Sequence, residues 1–217
     1  MAVTIETRPN LGSGSIKFID GIGFDGIGSA GFDDNDLWII GDTLDNILEG
    51  GPGRDLIDGD AGNDIITGGA GNGILNGGDG DDILDGQEGT EKLSGGNGND
   101  ILLAGGTVPV SFIQPGAGDF DRLHGGAGND TFGFYGVGNF QIADFTIGED
   151  RLFFDSAKLG IHSVSELVSY ITNIEDNGDS GFTAEFVGGA AYIELVGTTT
   201  NPININMITP EMIVFTL

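Results

Sequence analysis

The 217-residue chain contains no cysteine, so neither a disulfide framework nor a thiolate metal site is open to it. Only seven Lys and Arg stand against 34 Asp and Glu, a formal charge of −27. A chain so poor in basic residues is not built for nucleic acid or for anionic lipid surfaces. The only histidines are His124 and His162, and there is no HExxH, GxSxG or P-loop motif. Only 40 residues precede the repeats described below, too few for most catalytic domains, and no enzyme activity is expected. No apolar run approaches the roughly 20 residues of a membrane span. The first ten residues, MAVTIETRPN, lack the basic start and apolar stretch of a Sec-type leader. Apolar content is not scarce: 38% of residues are hydrophobic, too many for a plainly disordered polar chain.

What the chain has in excess is glycine, 42 residues, and acid, and both are arranged. Blocks of nine line up without a gap from Gly41 to Leu103: GDTLDNILE, GGPGRDLID, GDAGNDIIT, GGAGNGILN, GGDGDDILD, GQEGTEKLS and GGNGNDILL. After a break from Ala104 to Pro115 come GAGDFDRLH and GGAGNDTFG. The first place is always Gly. The eighth is always apolar: Leu48, Ile57, Ile66, Leu75, Leu84, Leu93, Leu102, Leu123 and Phe132. The sixth is Asp55, Asp64, Asp82, Glu91, Asp100, Asp121 or Asp130, with Asn46 and Gly73 as exceptions. Gly at places 1, 2 and 4 is expected to let the backbone take positive φ and curl tightly. The last three residues of each block read as a short strand whose middle side chain points one way and its neighbours the other. A solvated acidic linker would have no reason to keep nine apolar residues in phase with its carboxylates.

These blocks resemble the nonapeptide GGxGxDxUx of the RTX family. The resemblance implies an all-β chain built on a right-handed parallel β-roll: each block is half of a flattened coil, place 8 faces inward between two sheets, and turns stack along both edges. It also implies several Ca2+ ions between successive turns, held by turn carbonyls such as those of Gly62, Gly80 and Gly98 and by place-6 carboxylates of blocks n and n+2. Elementary chemistry agrees. Calcium takes oxygen ligands, and stacked carboxylates that repel when empty become ligands when the ion is present.

The two edges are expected to differ. One carries Asn46, Asp64, Asp82 and Asp100; the other carries Asp55, Gly73 and Glu91, where Gly73 offers no carboxylate and Glu91 is one methylene too long. Firm sites are predicted on the first edge and weak or vacant ones on the second. If residues 104–115 replace a half-circuit, Asp121 joins the first edge and Asp130 the second. Place 7 holds Ile47, Leu56, Ile65, Ile74, Ile83 and Ile101, an outward stripe to be covered by the chain itself or by another molecule.

The flanks read as caps: residues 1–40, with Trp38 buried in them or else exposed as a ligand platform, 41–133 as the roll, and 134–217 as a C-terminal region of strands plus a short helix. QIADFTIGEDRLFF, residues 141–154, reads as strand, turn, strand and resembles the IxDFxxGxDxIxL segment that follows RTX repeats. Residues 163–171 read as a helix with a Ser163–Glu166 capping box and an apolar face of Val164, Leu167, Val168 and Ile171. GFTAEF and AYIELVG read as two strands. The tail ITPEMIVFTL looks like that of a type I secretion substrate. Together these readings imply a secreted bacterial calcium-binding protein that folds outside the cell. As an extracellular scaffold it would self-associate; the alternative is a module for carbohydrate or a cell surface. His124, at place 9, is expected to be a plain surface residue.

Overall fold

The computed structural model describes residues 4–6, 36–105, 121–136, 138–178, 180–186, 191–197 and 202–217. Most of the expected N-terminal cap and of the insertion at 104–115 lies outside these residues, as does the link at 187–190 between the two C-terminal strands.

The nine-residue period becomes two stacked sheets. One is ten-stranded. It begins with β1 (Thr4–Glu6) and β2 (Trp38–Ile40), continues through β4 (Leu56–Asp58), β6 (Ile74–Asp79), β8 (Lys92–Asn97), β10 (Asp121–Ala127) and β12 (Gly138–Ile142), and ends with β16 (Ala191–Val196), β15 (Gly181–Phe186) and β14 (Ile171–Asp176). The other is seven-stranded: β3 (Ile47–Pro52), β5 (Ile65–Ala70), β7 (Ile83–Asp85), β9 (Ile101–Ala104), β11 (Thr131–Phe134), β13 (Arg151–Phe154) and β17 (Ile213–Val214). From β2 to β12 in one sheet and throughout the other, every pairing is parallel. Consecutive blocks alternate between sheets, so the chain winds as a coil. All nine place-8 side chains are buried and form one thin core between the sheets. Several strands are longer than the three residues expected. Main-chain pairing runs on through places 1 to 3, as in Gly51↔Gly69 and Gly78↔Gly96, because successive coils stay in register through the start of each turn.

The outward place-7 row splits by sheet. Leu56 and Ile74 on the ten-stranded sheet are 6% and 2% exposed, whereas Ile47, Ile65 and Ile83 on the seven-stranded sheet are 67%, 44% and 36% exposed. The stripe is therefore covered on one face and open on the other. Trp38 is half-buried, not enclosed as expected: it stands on the same outer row, beside Leu56.

Both sheets continue past the last nonapeptide. The segment 141–154 forms β12, a turn and β13, but these strands belong to different sheets and so add one more coil to the roll. Its turn carries Phe145, fully buried against Phe132 with ring centroids 6.0 Å apart. Phe134, Phe140 and Phe154 extend this aromatic plug, which replaces the aliphatic core where the coil ends. A four-residue helix α1 (Ser156–Leu159) follows, capped by Asp155. Helix α2 (Val164–Tyr170) starts at Ser163, which accepts from the Glu166 N–H. The Glu166 carboxylate reaches back to the His162 N–H, one residue before the box position expected. Ile171 begins β14 instead of ending the helix, and of the proposed apolar face only Leu167 is buried; Val168 is exposed.

Candidate metal centre

On the first edge, the turns 41–46, 59–64, 77–82, 95–100 and 125–130 stack coil on coil. In all but the first of these, where place 4 is Leu44, the place-4 glycine has positive φ, as at Gly80 (φ 134°), and a Cβ there would lie 2.1 Å from the Gly62 carbonyl oxygen of the coil before. Gly98 stands in the same relation to Gly80, at 2.0 Å, so these carbonyls follow one another along the edge. Place 1 is glycine for a different reason from the one expected. Gly77 has no positive φ, but its Cβ would lie 2.2 Å from Asp82 Oδ2 and 2.6 Å from the Gly95 carbonyl oxygen. Gly59 meets Asp64 Oδ2 and the Gly77 carbonyl at 2.2 and 2.5 Å; Gly95 meets Asp100 Oδ2 and the Gly125 carbonyl at 2.2 and 2.6 Å. Each cradle brings a carboxylate oxygen and a main-chain carbonyl of the next coil to one point, space that a side chain at place 1 would fill.

The place-6 carboxylates form a ladder. One oxygen of each accepts the place-6 N–H of the preceding coil: Asp64 from Asn46 at 2.7 Å, Asp82 from Asp64 at 2.7 Å, Asp100 from Asp82 at 2.9 Å and Asp130 from Asp100 at 2.9 Å. The other oxygen, Oδ2, of Asp64, Asp82 and Asp100 is buried and takes no hydrogen bond. Burial pushes Asp82 up to about 6 and Asp100 up to about 7, and raises Asp64 and Asp130 as well; neighbouring acids add to the rise. A buried carboxylate without a counter-charge is among the costliest groups a fold can hold. Unpartnered hard oxygens beside main-chain carbonyls are the donor set calcium takes. Among the described residues no three acidic or histidine side chains converge on one point, so any site here must draw on those carbonyls.

The second edge differs in kind. Asp55 is satisfied within the protein, accepting from the Leu37 N–H at 2.8 Å and the Gly51 N–H at 2.7 Å. Gly73 contributes no carboxylate. Glu91 buries both carboxylate oxygens, and burial together with the adjacent Asp121 carboxylate drives its pKa well up. A Cβ on Gly73 would meet only ordinary contacts, 3.5 Å to the Asp55 carbonyl and 3.8 Å to Leu75, at an ordinary φ. Gly73→Asp therefore restores the missing rung without strain. The variant is expected to bind about one more calcium than the wild type by calorimetry, as one added carboxylate completes one ligand set. An unchanged stoichiometry would count against the cradle geometry.

The expected register across the insertion is reversed. Asp121 accepts the Glu91 N–H and belongs to the second edge; Asp130 accepts the Asp100 N–H and belongs to the first. The insertion lies between β9 and β10; the ladder spacing there rises from 18 residues to 30, and the alternation of sheets stays intact.

Two sets of residues escaped the sequence reading. Asp150 continues the first-edge ladder beyond the repeats: it accepts the Asp130 N–H at 2.9 Å and closes its own turn by accepting the Thr146 N–H at 2.6 Å. Burial raises it to about 6. Its signal was present, since it is the second Asp of the IxDFxxGxDxIxL segment and directly precedes a strand, as Asp64, Asp82, Asp100 and Asp130 do on the same edge. Place 5 forms a parallel ladder, in which Asp45, Asn63, Asp81 and Asn99 accept the N–H groups of Asn63, Asp81, Asn99 and Asn129. Only an 18-residue reading, taking alternate blocks, exposes that run of Asp and Asn. His124 is not a plain surface residue. It pairs with Asp144 at 3.0 Å, and that hydrogen bond raises its pKa, while Asp144 also accepts the Gly125 and Gly126 N–H groups.

This arrangement defines a parallel β-roll whose stacked acidic turns offer the oxygen donors that calcium takes. Residues 40–75, 67–102 and 116–132 match the family model described as RTX calcium-binding nonapeptide repeat (4 copies), so this part of the chain is built of RTX repeats. Its ion is Ca2+. No curated protein matches the chain. Among solved structures, the extracellular lipase LipA from Serratia marcescens aligns at 17% identity with a TM-score of 0.29, covering 81% of this chain and 39% of that one. The chain thus spans well under half the length of that lipase.

Proposed function

We propose that this is a secreted calcium-folding protein whose folded roll is itself the product, an extracellular scaffold in a biofilm matrix, surface layer or filament. One observation carries the reading: the column of buried, unpartnered carboxylate oxygens at Asp64, Asp82 and Asp100. Calcium held by these residues, by Asp130, and by the carbonyls of Gly62, Gly80 and Gly98 supplies the missing positive charge. Asn46 and Asp150 close the ends of that column. Asp55, Asp121 and Glu91 form a weaker second edge. The nonapeptide roll at 41–133, lengthened by one coil through β12 and β13, is flanked by caps drawn from 1–40 and 134–217. In a cell, where calcium is scarce, the chain stays loose enough for a type I exporter; outside, at the roughly 10⁻⁴–10⁻³ M that extracellular modules use, binding becomes folding energy. No catalytic role is proposed.

The open isoleucine row on the seven-stranded sheet supports self-association. The second reading, a calcium-dependent module for carbohydrate or a cell surface, is favoured by a notch on the same sheet. There Tyr135, hydrogen-bonded to Asp85 and covered by the Lys158 ammonium at 3.7 Å, stands with Gln87 and Glu88 around a cavity of about 560 Å3. Light scattering during a calcium titration separates the two. Particles that grow as calcium is added are expected; a monomer that folds and stays monomeric would favour the recognition module.

A further inference from the structure

We infer that β14 is a self-pairing edge, through which two copies of the calcium-loaded chain join their ten-stranded sheets. β14 is the terminal strand of that sheet, and among the described residues no strand pairs with its outer side. The sheet's inner face runs off this edge uncovered. Along one row, Ile193 is 4% exposed, Ala184 7% and Ile174 41%. Val168 and Tyr170, at the end of α2, are exposed beside it. Inward of β14 lies an apolar cleft of about 560 Å3, lined by Leu152, Phe154, Leu167, Val168, Ile174 and Ile208 among others, with no charged side chain in its wall.

The chemistry of the missing occupant follows from the two features together. A lipid chain would fill the cleft but leave the main-chain N–H and C=O groups of the edge without partners. A strand supplies both hydrogen bonds and apolar side chains. The sequence of β14, ITNIED, favours its own copy. Antiparallel pairing about a two-fold axis perpendicular to the sheet keeps the two inner faces continuous, so residues of like face must meet. Centred on Ile174, such pairing sets Ile174 against Ile174 of the second copy, Asn173 against Glu175, and Thr172 against Asp176. No acid faces an acid, and the charged ends of the two strands lie apart, which matters in a chain of charge −27. The apolar row then passes from one copy to the other across the axis.

This contact specifies one interface of the assembly proposed above and rests on that reading only for its biological use. The chain has no cysteine, so Ile174→Cys in the full calcium-loaded protein permits a single disulfide, between copies. Under mild oxidation it is expected to cross-link roughly tenfold faster or more than Ser165→Cys, an exposed control on α2, because pairing raises the effective concentration of the thiols. Ile174→Asp, with circular dichroism unchanged, is expected to sediment as a monomer where the wild type sediments as a dimer. Equal cross-linking of the two cysteine variants, a dimer that survives Ile174→Asp, or a monomeric wild type carrying a bound lipid would each overturn the inference. A wild-type dimer that grows no further upholds the strand pairing and removes the scaffold. Large particles that persist in Ile174→Asp do the reverse.

Discussion

In excess EGTA the chain is expected to lose most of its β-structure by circular dichroism, and to regain it when calcium is restored. The ten-stranded and seven-stranded sheets share a core one side chain thick, and each coil adds a single place-8 residue from each sheet. Burying one such side chain is worth about 1.5–3 kcal/mol, against roughly 1–2 kcal/mol of backbone entropy for every residue ordered. A nine-residue block with one fully inward apolar residue cannot balance that on burial alone. The empty cradles make matters worse, because each holds a carboxylate oxygen out of water with no partner. Acid should substitute in part for calcium. Burial raises the folded-state pKa of Asp64, Asp82, Asp100 and Asp130 above that of the unfolded chain, so the folded form binds more protons. The stability this contributes is complete below the unfolded carboxylate pKa of about 4 and lost as pH rises through the values near 6 and 7 of Asp82 and Asp100. Calcium-free protein should therefore gain β-structure as pH falls from about 8 to about 4. Unchanged spectra in EGTA at neutral pH would remove calcium from the folding of this chain.

Much of this was legible because the repeat writes one structural role into one position. Place 8 fixed the core residue by residue, and all nine are buried. Place 6 marked the carboxylate ladder and foretold that Gly73 would interrupt one edge. What escaped lay where the relation is set by three-dimensional stacking. Whether Asp121 follows Glu91 or Asp100 depends on which sheet the chain re-enters after the insertion, and no local residue states that. The split of place 7 into covered and open rows depends on which face of the roll other chain segments lie against. Beyond residue 133 the period is lost, but the sheets' need for another rung is not; Asp150 and Phe145 supply the ladder's last step and the core's plug from an irregular turn. Strand β14 was missed because its side chains are almost wholly exposed, so no alternation of buried and polar residues betrays it.

Alanine at Gly77 and at Gly51 should part company completely, although both change glycine to alanine within the repeats. At Gly51 a Cβ meets nothing within 4 Å and φ is ordinary. That variant is expected to hold the wild-type melting temperature or exceed it, since alanine at a compatible site stabilises by about 0.4–1 kcal/mol through the unfolded chain. At Gly77 the new methyl would sit 2.2 Å from Asp82 Oδ2 and 2.6 Å from the Gly95 carbonyl. The Asp82 carboxylate cannot swing clear without surrendering its 2.7 Å bond to the Asp64 N–H, and the Gly95 carbonyl cannot retreat without parting two coils that pair through Gly78↔Gly96. The methyl also occupies the point where the oxygens converge, so steric conflict and loss of the ion coincide. Gly77→Ala is expected to lower calcium affinity by at least about tenfold, equivalent to roughly 1.4 kcal/mol, and to need more calcium to reach the same circular dichroism signal. A calcium titration that superimposes the two variants would mean that the space beside place 1 is not where the ion binds.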